Sequence, residues 1–151
     1  MFSIIIPTYN NLAYLKLCLH SINKNSKHNH EILVHVNEGN DGTLKYLDNL
    51  KLRYTYSKEN AGVCYAFNEA AKLATKEYLV LGHDDMYFCP NWDAEFKYEL
   101  NKIGHKNFFL SGTMVQHFNG LINLDCGRSP QTFNEKKILE QLPTIKFDDF
   151  Q

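Results

Sequence analysis

The sequence predicts an α/β domain built on a mostly parallel sheet flanked by helices. Three observations predict it. Short apolar, β-branched runs alternate with stretches of helical periodicity along most of the chain. The segments joining the runs are long enough to carry a crossover helix, which parallel strands require and hairpins do not. Polar residues gather directly after the runs, at the carboxyl ends where sheets of this kind bind ligands. A length of 151 residues, 44% of them hydrophobic and 22% charged, fits a single domain over 1–151 and excludes global disorder.

Residues 2–6 (FSIII), closed by Pro7, form the first strand and are apolar enough to be buried on both faces. Asn10 or Asn11 is placed to cap the next helix, whose Leu12, Leu15, Leu19 and Ile22 fall on one stripe. The second strand is 31–36 (EILVHV), and the turn signal EGNDG follows it over 38–42. A short helix over 43–50 leads to an aromatic strand at 53–56. Residues 61–74 carry Ala61, Ala66, Ala70, Ala71 and Ala74, a helix face small enough to approach a sheet closely. The fourth strand, 78–81, runs into Gly82, His83, Asp84 and Asp85. Pro90 marks the start of a helix with Trp92, Phe96, Leu100 and Ile103 as its buried stripe, and 108–115 reads as a further strand. His28 and His30, in a stretch rich in Lys and Asn, read as a surface loop.

Charge and cysteine usage exclude several classes. Lys and Arg number 16 against 17 Asp and Glu, a formal net charge of -1, so neither nucleic acid nor an anionic membrane surface is an expected partner. The cysteines at 18, 64, 89 and 126 form no C-x-x-C pair, which argues against a zinc ribbon or a dithiol redox motif. The first apolar run stops at Pro7, far short of the ~20 residues that cross a bilayer, so no transmembrane segment is expected. A cytoplasmic protein with reduced thiols is the expectation. The first turn, PTYNN, has no glycine, whereas a dinucleotide-binding turn needs G-x-G-x-x-G, and this sets an oxidoreductase aside.

The sharpest chemical feature is Asp84-Asp85 at the end of an apolar strand, where a carboxylate on a rigid support suits a hard divalent cation. An acidic turn capping the next helix is the plainer alternative. Three other strand ends are polar as well, at Thr8-Tyr9-Asn10, Asn37-Glu38 and Glu59-Asn60, and four such ends on one edge make a site.

Four motifs in order resemble glycosyltransferase family 2, nucleotide-sugar enzymes of the GT-A (Rossmann-like) fold. They are SIIIPTYN over 3–10, EILVHVNEGNDGT over 31–43, ENAGVCYAFN over 59–68 and EYLVLGHDD over 77–85, and the match is strongest over 2–104. The resemblance implies a nucleotide-diphospho-sugar donor, UDP-linked, whose sugar passes with inversion to a glycan, lipid or other hydroxyl acceptor. It places Pro7, Thr8, Tyr9 and Asn10 around the base and ribose, together with Asn37, Asn60, Gly62, Asn68, His83 and Asp84. Glu38 takes the position of the acid that accepts from the base, and Asp85 that of the last acid of D-x-D, which binds Mn2+ or Mg2+.

Departures accompany the matches. His83 replaces the first acid of D-x-D and is a candidate for ribose bonding, metal ligation or strand-end packing. Asn37 replaces an acid, and Phe67 stands where the family often has Arg, with Lys58 or Arg128 as substitutes for the missing cation. Family enzymes run longer, so the C-terminal part reads as short, and the general base is sought at Asp125, Asp148 or Asp149. His117 is a candidate to approach the metal. The alternative to an active transferase is a degenerate or truncated module that keeps the nucleotide half alone.

Overall fold

A computed structural model describes residues 1–118, 120 and 122–145. The chain divides into two units, Met1–Ala94 and Glu95–Gln151.

The first unit is a four-stranded, wholly parallel sheet with its helices. Strand β1 (Phe2–Tyr9) is followed by helix α1 (Leu12–Asn25), β2 (Glu31–Asn37), α2 (Thr43–Leu50), β3 (Arg53–Ser57), α3 (Val63–Ala71) and β4 (Tyr78–Leu81), in the spatial order β3-β2-β1-β4. Every residue of β1 up to Thr8 is buried, with Ile4, Ile5 and Ile6 fully so, and Leu33, Val34 and Val36 of β2 match them. Burial of each such side chain contributes about 1.5–3 kcal/mol. The small face of α3 does what the sequence predicts. Ala66 and Ala70 are fully buried, and Ala70 packs with Ile5 and Leu33 on one face of the sheet.

Register decides what the carboxyl edge presents. Tyr9 stands beside Asn37, and Asn37 beside Ser57, so three strands end level. Leu81 pairs with Ile5, and Gly82 N–H continues the ladder to the Ile5 carbonyl at 3.0 Å, so the chain after β4 runs alongside the last residues of β1.

Helix α4 (Trp92–Ile103) begins two residues after Pro90. Of its expected stripe only Trp92 is buried; Phe96, Leu100 and Ile103 are half-buried. In the second unit, β5 (Val115–Gln116) and β6 (Ile122–Asn123) form a two-stranded parallel pair, followed by α5 (Glu135–Gln141). The strand expected over 108–115 is confined to its last residue, and 107–114 is irregular. Ser111-Gly112-Thr113 interrupts the apolar run, and a glycine weakens a strand interior.

The loop reading of His30 is also corrected. Its side chain is 1% exposed and bonds through Nε2 to the fully buried Asp93 at 3.0 Å. Asp93 also accepts from the Lys27 and His28 backbone N–H groups. His30 stacks on Phe2 and leans on Trp92. Its Nδ1 accepts from the Phe2 N–H at 3.2 Å, which fixes the tautomer: Nδ1 is bare and Nε2–H donates to Asp93. Charging the ring would set a second N–H against that of Phe2.

Burial holds the His30 pKa below its ordinary value, against the opposing pull of Asp93. A folded pKa below the unfolded one means stability is full above about 6.5 and is lost as pH falls through that value. Urea unfolding between pH 8 and 5 is expected to show stability falling below pH 6.5. His30→Gln, which cannot titrate, is expected to reduce that slope, the remainder coming from the buried His35, whose pKa burial also lowers.

Candidate functional site

The loops after β1, β2 and β4 are joined by side chains at the carboxyl edge. Asn10 and Glu38 both adopt left-handed backbone, φ 47° and 61°, which costs a non-glycine residue about 1 kcal/mol. Hydrogen bonds hold both. Glu38 N–H donates to the Ser57 carbonyl at 2.9 Å, and Asn10 Nδ2 donates to Glu38 Oε2 at 3.0 Å. Asn40 closes the ring, its N–H on Asn10 Oδ1 at 2.8 Å and its Nδ2 on Glu38 Oε2 at 3.3 Å. Both amides bond Oε2. Tyr9, nearly half exposed, stands against Glu38, whose charge and hydrogen bond push the phenol pKa up.

Asn37 is buried and its Oδ1 accepts from Ala61 N–H at 3.0 Å, while Asn60 Oδ1 accepts from Gly62 N–H. These two residues shape the loop before α3, and Gly62 itself has φ 84°. Asn68 is exposed on α3. Pro7 is buried within β1.

The turn after β4 is tied down at several points. Thr8 Oγ1, from a residue only 3% exposed, donates to Asp84 Oδ2 at 2.6 Å. Burial raises the Asp84 pKa, while hydrogen bonds from Thr8 and Asn11 pull it back. The His83 carbonyl accepts from Cys18 Sγ and from Met86 N–H. The Cys18 thiol is pushed up to about 12 by burial and then by Asp84 and Asp85, so it stays protonated. His83 and Asp85 are exposed, and the His83 ring meets Phe67 edge to face at 5.4 Å.

Among the described residues, no three His, Cys, Asp or Glu side chains converge on one point. Asp85 is a single exposed carboxylate, and a hard cation commonly takes one or two of these and completes its shell from phosphates and water. The residues therefore fit an ion shared with a diphosphate and do not fit a protein-only metal cage.

The remaining candidates belong to the second unit. In the second unit Asp125 sits 3.3 Å from His117 Nδ1, and Arg128 Nη2 lies 2.6 Å from His117 Nε2. The Gly127 N–H first of all, then His117, Arg128 and Lys137, hold the Asp125 carboxyl below its ordinary range. Asp148 and Asp149 lie outside the described residues.

Against this geometry, the model of the family described as Glycosyl transferase family 2 matches residues 3–147. The chain belongs to glycosyltransferase family 2. An uncharacterised glycosyltransferase of Rickettsia conorii is 38% identical to it over 118 residues, 73% of this chain and 19% of that protein. The family 2 chain thus spans about a fifth of that relative's length. S. aureus TarS 1-349 in complex with UDP superposes with a TM-score of 0.60 at 24% identity, covering 67% of this chain and 32% of that one. A mannosyltransferase from Pyrobaculum calidifontis, in complex with GDP-Man and Mn2+, gives 0.55 at 24% identity over 62% and 30%. These likenesses establish the GT-A fold of the family 2 chain.

The cap expected from Asn10 or Asn11 does not form, and sequence reasoning missed the role of Asp41. Asn11 occupies the N-cap position of α1 but makes no cap bond, its side chain being used on Asp84. Asp41 caps instead: Oδ2 accepts from Leu12 N–H at 2.7 Å, and Oδ1 from the N–H and hydroxyl of Thr43. One carboxylate therefore serves the starts of both α1 and α2. The Asp-Gly-Thr signature was visible in the sequence, but its reach to α1 was not. Asp41→Ala is expected to lower stability by about 1 kcal/mol in urea titrations, as loss of a cap does.

Proposed function

We propose that this chain binds a nucleotide-diphospho-sugar at the carboxyl edge of its parallel sheet and transfers the sugar to a hydroxyl acceptor with inversion. The observation that carries the reading is the joining of three strand ends: Glu38 bonded to Tyr9 and Asn10, and Thr8 bonded to the Asp84 that precedes the exposed Asp85. Glu38, the acid at this edge, is suited to accept the N3–H of uracil, and Tyr9 offers a ring to the base. UDP in the complex of TarS supports a uridine donor.

Glu38, Asp84 and Asp85 put negative charge at this edge, which by itself repels a diphosphate. Asp85 would hold a divalent cation, Mn2+ or Mg2+, together with the phosphates, and Mn2+ in the complex of the Pyrobaculum enzyme supports that choice. Such an ion stabilises the charge that develops on a departing diphosphate. The loops after β1 and β2 orient the donor; a base takes the acceptor hydroxyl's proton as its oxygen bonds the anomeric carbon from the face opposite the diphosphate, and the bond from that carbon to the phosphate oxygen breaks, its electron pair leaving with the diphosphate.

A binding module without transfer is the second reading. It is favoured by His83 and Phe67, which stand where the resemblance leads one to expect an acid and a cation. Turnover separates the two.

In a thermal-shift screen of nucleoside diphosphates and their sugars, UDP with Mn2+ is expected to raise the melting temperature most, since a ligand selective for the folded state stabilises it. Asp85→Ala is expected to abolish the cation-dependent part. Equal response to all bases, or the same shift in Asp85→Ala, would remove Glu38 or Asp85 from its role. Sugar release from UDP-sugars that requires Mn2+ and Asp85 supports the transferase; UDP binding without it supports the module.

A further inference from the structure

Two adjacent acids follow β4, and their surroundings differ. Asp84 is half-buried and already bonded: Oδ2 takes the Thr8 hydroxyl at 2.6 Å, and the Asn11 side chain is a second donor. Asp85 is exposed. Thr8 is 3% exposed, so its hydroxyl faces the neighbouring turn rather than solvent.

We infer that Asp84 is a positioning residue, which clamps the turn carrying Asp85 to the loop carrying Tyr9 and Asn10 through Thr8 and Asn11. Asp85 is then the acid of the pair left to meet phosphates. The inference rests on the proposed nucleotide-sugar reading and deepens it.

A carboxylate hydrogen-bonded to a buried hydroxyl makes a charge-assisted bond, short and roughly twice as strong as a neutral one. Turning Asp84 toward a cation would leave the Thr8 hydroxyl buried without an acceptor, which is costly. The backbone around Asp84 is also fixed, by Gly82 N–H on the Ile5 carbonyl and by Cys18 and Met86 on the His83 carbonyl. With both flanks and the side chain held, Asp85 has a defined position. Because Thr8 directly precedes Tyr9, a displacement of the clamp moves the base-binding loop and Asp85 together. Binding of the base and binding of the cation are therefore coupled through this bond.

The test is calorimetric titration of UDP, with and without Mn2+, into the wild-type chain, Thr8→Val, Thr8→Ser, Asp84→Asn, the Thr8→Val/Asp84→Asn double variant and Asp85→Asn. Thr8→Val is nearly isosteric and removes the donor without touching a carboxylate. It is expected to weaken UDP binding in Mn2+ by roughly three- to tenfold and to shrink the gain that Mn2+ brings, without erasing it. Asp84→Asn should do the same, the double variant should be no worse than either single one, and Thr8→Ser should recover most of the loss. Asp85→Asn should erase the Mn2+ gain.

Three results would overturn the clamp: unchanged affinity and Mn2+ gain in Thr8→Val, losses that add in the double variant, or an Asp84→Asn chain as insensitive to Mn2+ as Asp85→Asn. A variant with lowered melting temperature but an unaltered Mn2+ gain would reduce the bond to a fold-stabilising one and likewise overturn it. If the wild-type chain binds no UDP with or without Mn2+, the site reading itself falls and the clamp with it, an outcome distinct from all the others.

Discussion

The parallel pairing of β1 with β2 on one side and β4 on the other is the constraint on which the rest of this structure depends. A strand hydrogen-bonded along both edges and buried on both faces has no freedom to slip, because a shift of one residue would turn every side chain to the opposite face. Register therefore fixes where each neighbouring strand stops relative to β1. Tyr9 and Asn37 end level, whereas β4 stops beside Ile5, so the His83-Asp84-Asp85 turn runs on alongside the last residues of β1. The contact between Thr8 and Asp84, 76 residues apart in the chain, follows from that register.

Much of the fold was legible because apolar periodicity reports burial directly. The fully buried isoleucines of β1, the small face of α3 and the stripe of α1 all follow from residue size and spacing. The failures fall where structure depends on a partner distant in sequence. An apolar run over 108–115 has strand character, but a strand exists only where a neighbour supplies a ladder, and here pairing begins at Val115. His30 lies in a polar stretch, and nothing local signals that Asp93 and Phe2 enclose it.

The site shows the same division. Residue types at the strand ends and the family resemblance pointed to Tyr9, Glu38 and Asp85 as site candidates, and the structure leaves them exposed or half-exposed, with Tyr9 beside Glu38. The partners that hold those groups were not legible: Asn40 closing on Asn10, Asp41 serving two helices, and Asn11 turning from its cap position to Asp84. A side chain such as Asn11 has several acceptors within reach, and backbone geometry of a turn selects among them. Asp41 could take over the cap because the β2–α2 loop folds back over the start of α1, a proximity set by the sheet rather than by local sequence.

Two departures from the family pattern become one feature in space. Phe67 stands where the resemblance leads one to expect Arg, and His83 where it leads one to expect an acid, and the two rings meet edge to face at 5.4 Å. Such an edge-to-face pair contributes about 0.5–1.5 kcal/mol beyond its burial. The edge then relies on Asp85 alone among these positions for anionic character exposed to a ligand, since Asp84 is engaged by Thr8 and Asn11. On the proposed reading, the bond holding Asp84 in place therefore bears on function and not only on folding.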